Sequence, residues 1–128
     1  MGTRSNIGKM QDDGTIKAIY CHWDGYPEGV GAILAEHYQE LNKVEELLNL
    51  GDFSSIKENI SEIESYKSRG ESGTEARTFN NLEEWKEWAS DCGCEYLYLY
   101  QKDWHERYQW SWLSIYNTWH ILPAKELA

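Results

Sequence analysis

The chain has 128 residues and a formal net charge of −10, which makes one domain the expectation and allows a single core that buries roughly two-thirds of the unfolded surface. Hydrophobic residues make up 41% of it and aromatics 14%, with 7 Trp and 9 Tyr, and this excludes a chain too polar to fold. No apolar run reaches the ~18 residues of a membrane span, and the opening Met1-Gly2-Thr3-Arg4-Ser5-Asn6 has neither the apolar stretch of a signal peptide nor the Ser or Thr of a myristoylation signal. A cytoplasmic protein that contacts no membrane is expected.

The charge is uneven. From Ile33 to Glu95 there are fifteen acids and six bases, a balance of −9, whereas the two flanks together carry −1. A field of that sign repels nucleic-acid phosphates, so direct nucleic-acid binding is not expected, and it favours a partner with a basic surface. Solvated outer faces of helices produce the same counts. Three cysteines, Cys21, Cys92 and Cys94, in a chain with no export signal read as reduced thiols.

In chain order, Ser5 to Met10 and Thr15 to Trp23 are short extended runs around Asp13-Gly14, a strong local hairpin signal. A two-residue loop there would set Ile7 opposite Tyr20, Asn6 opposite Cys21 and Arg4 opposite Trp23; a longer loop would shift the register. Asp24-Gly25-Tyr26-Pro27 then turns the chain, and Val30, Ile33, Leu34, His37 and Tyr38 recur at helical spacing. Asn42 with Glu45 resembles a capping box ahead of Val44, Leu47 and Leu48, with Gly51 as the stop. Ser55 with Glu58 repeats the device ahead of Ile56, Ile60 and Ile63, and Asn81 with Glu84 opens a further helix through Leu82, Trp85, Trp88 and Ala89. Lys67 to Arg77, poor in apolar residues, reads as a mobile loop.

After Cys92-Gly93-Cys94 the period changes to two. Tyr96, Tyr98 and Tyr100 fall on one face of a strand, Leu97 and Leu99 on the other, and Trp104 to Trp112 and Tyr116 to Leu122 supply one or two more aromatic strands. Hairpin, helices, then meander give an α+β fold over residues 1–128. Its sheet is mainly antiparallel, built from the N-terminal hairpin and the C-terminal aromatic strands, packed against several helices and covered by them on one face.

Candidate chemistry gathers at the hairpin-to-helix junction. His22 and Asp24, two apart, would share a face of a continuous strand as a base and its orienting carboxylate, but Gly25 at once afterwards favours the structural reading, with Asp24 in the turn capping the coming helix and His22 stacked among aromatics. Trp23 reads as buried scaffold. Gly25, Gly29 and Gly31 resemble an anion-cradling loop, but Asp24 and Glu28 oppose it and no Gly-Lys-Ser/Thr follows. A small anion would need Arg4 or Lys17 at the same mouth. The candidate ligand-binding set is therefore Arg4, His22, Asp24 and Tyr26. Zinc at Cys21, His22 and Asp24 with Cys92 and Cys94 is disfavoured, because adjacent strand residues point to opposite faces and Cys-x-Cys is not a zinc-knuckle spacing. No metal or cofactor is expected.

Thr3-Arg4-Ser5-Asn6-Ile7-Gly8, Ile19-Tyr20-Cys21-His22-Trp23-Asp24-Gly25-Tyr26-Pro27 with Val30-Gly31, His37-Tyr38 and Leu50-Gly51-Asp52 resemble a family of small uncharacterised proteins of bacteriophages, prophages and mobile elements. The resemblance covers the first half and runs loosely to Glu95 to Gln101. It implies a setting rather than an activity: a bacterial cell in which small acidic proteins inhibit host defence enzymes. The leading expectation is a non-enzymatic phage-type binding protein, an acidic inhibitor of a host defence or nucleic-acid-handling enzyme, using Glu45, Glu46, Glu58 and Glu62 against a basic protein. The alternatives are a small-ligand or nucleotide-binding protein, with hydrolase activity included, whose pocket lies at the junction, and a virion assembly protein. The sequence leaves the oligomeric state open.

Overall fold

The computed structural model describes residues 3–114 and the backbone of residues 120–121. Six strands form one sheet: β1 (Ser5–Met10), β2 (Ile16–Cys21), β3 (Arg77–Phe79), β4 (Tyr96–Lys102), β5 (Tyr108–Ser114) and β6 (His120–Ile121). Their spatial order is β3-β2-β1-β4-β5-β6, and every neighbouring pair is antiparallel except β1 with β4. Three helices, α1 (Ala32–His37), α2 (Leu41–Asn49) and α3 (Leu82–Asp91), complete the α+β architecture, and a π-helical turn over Pro27–Gly31 leads into α1.

The hairpin signal holds with a longer loop. Gln11 N donates to Thr15 O at 2.7 Å, which leaves Asp12-Asp13-Gly14 as a three-residue loop with Gly14 at φ +87°, the left-handed position such loops require. The register moves by one from the two-residue expectation: Ser5 faces Cys21, Asn6 faces Tyr20 and Ile7 faces Ile19. That pairing keeps Ile7 and Ile19 on one face and Asn6 on the other, where a one-residue slip would exchange them.

Helices cover both faces of the sheet, not one. On the first face Ile7, Ile19, Cys21, Tyr98, Tyr100 and Trp110 pack against α1 and α2 through Val30, Leu34, Tyr38, Val44, Leu47 and Leu48. On the second, Ile16, Ala18, Leu97, Leu99 and Leu113 meet Trp85 and Ala89 of α3. The cause is topological. β3 and β4 run in the same direction on opposite sides of β1 and β2, so their connection must cross the sheet, and α3 is that crossover.

Polar anchors fix each layer. Trp85 Nε1 donates to the Oδ1 of the fully buried Asn6 at 3.0 Å, and Asn6 Nδ2 reaches Cys94 Sγ at 3.5 Å, pinning α3 to β1. On the first face the aromatic tips hold loop carbonyls. Tyr98 Oη donates to Gly25 O at 2.7 Å, Tyr100 Oη to Gln39 O at 2.6 Å, and Trp110 Nε1 to Tyr38 O at 2.9 Å. This explains the bias to Tyr and Trp: each ring fills the core while its polar end satisfies a backbone group that would otherwise be stranded there.

Two helix starts differ from expectation. Asn81 caps α3 as anticipated, its Oδ1 accepting from Glu84 N at 2.9 Å, but α2 begins at Leu41 with Glu40 as N-cap, so Asn42 lies inside the first turn. Gly51, at φ +77°, ends that segment as expected. The helix expected after Ser55 is only a 3₁₀ turn over Ile60–Glu62. Its approach is drawn into the sheet edge instead: Phe53 bridges Cys21 and Ser65, with His22 N donating to Phe53 O and Phe53 N to Tyr20 O. The expected loop from Lys67 holds a 3₁₀ turn over Lys67–Arg69 and gives way to β3 at Arg77. The Tyr116 to Leu122 strand lies largely outside the described residues, which place only His120–Ile121 against β5.

Candidate functional site

The junction is built by backbone constraints before any side chain matters. β2 ends at Cys21, and Asp24 sits at φ +57°, in the left-handed region a non-glycine residue seldom adopts. Two bonds hold it: Gly25 N donates to Thr3 O at 2.8 Å and Val30 N to Asp24 O at 2.8 Å. Gly25 and Gly29 are required by close approach, since a Cβ on Gly25 would lie 2.8 Å from both Ser5 Cβ and Thr3 O, and one on Gly29 would collide with the Asp24 carbonyl. These glycines serve packing. They are not arranged as an anion cradle.

His22 and Asp24 do not pair as base and orienter; Asp24 belongs to the turn, the alternative that Gly25 suggested. The strand has ended before Asp24, so the shared face of a continuous strand is lost. His22 Nδ1 lies 2.7 Å from Tyr20 Oη, while Asp24 Oδ1 accepts from Tyr26 Oη at 3.2 Å. The Asp24 carboxylate, followed by that hydrogen bond, raises the Tyr26 phenol above its ordinary value. Burial pushes Tyr20 up to about 12 against the opposing pull of the Arg4 charge. Arg4 itself donates from Nη1 to Cys92 O at 3.1 Å. The structure thus forms two separate couples, Tyr20 with His22 and Asp24 with Tyr26, and ties Arg4 to the end of α3. Trp23, read as buried scaffold, is 43% exposed, and its ring meets His22 edge-on at 4.6 Å between centroids.

The thiols are unsuited to nucleophilic work. Burial raises Cys21 to about 12 and Cys94 to about 11, and it raises the half-buried Cys92 as well, so none is a thiolate near neutral pH. Among the described residues no group of three or more His, Cys, Asp or Glu side chains is placed to hold a metal, and no helix is long and apolar enough to cross a membrane.

Glu45, Glu46, Glu58 and Glu62 are all exposed, and three of them gather around one cleft. Glu46 and Glu58 line a cleft with Tyr38, Lys43, Asn59 and Ile60. Glu62 borders the same cleft, its Oε1 accepting from Asn59 Nδ2 at 3.2 Å, and also lines a second one with Glu64, Lys57 and Arg69, whereas Glu45, one helical step from Glu46, turns toward Lys9 and Lys17. Glu58 also stands 3.7 Å from His37 Nε2. Basic side chains are interspersed with this acidic group, Lys43 in the first cleft and Lys57 and Arg69 in the second. Lys17 does reach a cleft, but at the loop end of the hairpin, away from Arg4 and the junction. Lys9 escaped sequence reasoning; the signal available was its place opposite Lys17, hidden by the wrong register. No family model, curated protein or solved structure matches the chain.

Proposed function

We propose that this chain is a non-enzymatic binding protein of phage or prophage type, working in a bacterial cytoplasm against a protein with a basic surface, such as a host defence or nucleic-acid-handling enzyme. The observation that carries the reading is the pair Glu46 and Glu58, exposed on the walls of one cleft beside Tyr38 and Ile60. Two carboxylates against the single cation of Lys43 leave the cleft acidic, which suits an inserted Arg or Lys whose stem packs on Tyr38 and Ile60 while its charged head pairs. The commitment of the junction's polar groups to internal hydrogen bonds, and the burial-raised thiols, support binding over catalysis.

The test is capture from bacterial lysate by the immobilised protein, compared with a variant carrying Glu46→Lys and Glu58→Lys. Capture is expected to weaken as salt rises, because exposed charges are screened over about 8 Å at physiological ionic strength, and to vanish in the folded variant. Retention of the same captured protein by that variant at low salt sinks the proposal.

A second reading is favoured by the exposed aromatic edge. Trp23 and Tyr26, 43% and 38% exposed, flank Asp24 beside His22, a surface able to stack a base or other flat ligand. Quenching of Trp fluorescence by nucleotides that disappears in Trp23→Phe would favour it; no quenching would remove it.

A further inference from the structure

β1 and β2 set two lysines directly opposite one another, Lys9 against Lys17. Both follow the alternation of Ile7 and Ile19 and so face α2. Lys9 is only 5% exposed. Its Nζ donates to Gln11 Oε1 at 3.0 Å and lies 5.7 Å from the centre of the Tyr108 ring, while Lys17 Nζ donates to Asn49 Oδ1 at 3.0 Å. Among the described residues the ion pairs use His37, Arg69, Arg77, Lys86, Lys102 and Arg107; Lys9 and Lys17 take part in none.

This arrangement is costly as it stands. Like charges opposed across a ladder destabilise it, and among the described residues neither ammonium has a carboxylate within ion-pair distance to offset this. Each ammonium carries three donors, and the described bonds use one of each. Between the lysines and α2 opens a cleft of about 270 Å³ lined by Lys9, Gln11, Lys17, Glu45, Leu48 and Asn49. Two ammonium groups thus face one carboxylate, that of Glu45, and the cleft keeps a positive balance in a chain of net charge −10.

We infer that this cleft is a binding site for a small oxyanion of the phosphate or sulfate class, gripped by the Lys9 and Lys17 ammonium groups. Gln11 and Asn49 hold those groups in place through their amide oxygens. The paired cations set the class, and the space of about 270 Å³ holds a tetrahedral ion with a few waters of about 30 Å³ each. Glu45 on the wall opposes the anion and keeps affinity modest. The site lies apart from the Glu46 and Glu58 cleft, so neither proposal depends on the other.

The test is an NMR titration of the whole chain with inorganic phosphate, chloride being exchanged so that ionic strength stays constant. Saturable shifts are expected at the amides of Lys9, Gln11, Lys17 and Asn49. Lys17→Met, at the less buried position, is expected to fold and to weaken binding roughly tenfold or more, the effect of losing a hydrogen bond to a charged group, and Glu45→Gln is expected to tighten it. A parallel titration with a nucleoside monophosphate separates sources: tighter binding than phosphate identifies a nucleotide's phosphoryl group, and equal binding a free anion. Shifts that never saturate, or equal affinity in the wild type and Lys17→Met, overturn the inference.

Discussion

The two ends of the first hairpin make opposite use of polar side chains. At the junction end, Tyr20, His22, Asp24 and Tyr26 are chemically rich, yet their polar groups pair among themselves, and the backbone beneath is locked by Gly25 and Gly29. At the loop end, Lys9 and Lys17 look ordinary in sequence, but they face each other across the ladder with no ion pair among the described residues and only Glu45 on the wall of their cleft. A list of reactive residue types is therefore a poor guide to a site. Unbalanced charge in a confined place is a better one, because the molecule bears a cost there that a ligand can remove.

The largest expected effect tests the junction as scaffold. Gly29→Ala drives a methyl into the Asp24 carbonyl, and a loss of about 3 kcal/mol in urea unfolding is expected, the upper part of the overpacking range. A loss below about 0.5 kcal/mol would show that the turn yields easily and would weaken the contrast between the ends. Tyr98→Phe leaves Gly25 O without its buried donor, at a cost of roughly 1–3 kcal/mol; a neutral result would mean that water replaces the phenol.

Alkaline pH probes the same end. Cys21 is raised from 9.0 to about 12 in the folded chain, so above pH 9 the unfolded state loses this proton first. The contribution to stability is thus complete below pH 9 and lost as pH climbs towards 12, with a slope of up to about 1.4 kcal/mol per pH unit. Urea midpoints at pH 8 and pH 9.8 are expected to converge in Cys21→Val relative to the wild type. An unchanged pH dependence would assign the slope to other groups.

Smaller effects separate surface from core. Trp23→Ala is expected to cost less than about 1.5 kcal/mol, well under the roughly 3–5 kcal/mol of a buried Trp, because the ring is 43% exposed. A melting temperature that collapses would return Trp23 to the scaffold. Last, Lys17→Met is expected to change stability by less than about 1 kcal/mol, on the stabilising side, since it relieves the facing charge. A clear destabilisation would make the lysine pair structural and break the comparison.

Legibility followed the range of the interactions. The Asn81 and Glu84 cap and the alternating Tyr96 to Tyr100 face were readable because each signal is complete within a few residues. Ser55 and Glu58 carry a similar pattern, yet no helix forms there, because Phe53 just before them is bonded to Tyr20 and His22 in the sheet. Local propensity is a weak prior where such tertiary bonds compete. β3 was invisible for the same reason: Arg77-Thr78-Phe79 is a strand only through pairing with β2. At the hairpin the loop is one residue longer than the shortest choice, and that single step concealed Lys9 opposite Lys17.

The parallel pairing of β1 with β4 has a consequence on the ribosome. Ser5 finds Tyr96, and Lys9 finds Tyr100, only after most of the chain has been made. At synthesis rates of about 5–20 residues per second, one edge of β1 stays without its final partner for on the order of five to twenty seconds. That strand contains Asn6 and Gly8, weak formers of sheet on their own. The newborn hairpin therefore has little drive to zip onto a stranger's edge, a useful property for a strand that must wait at the centre of the sheet.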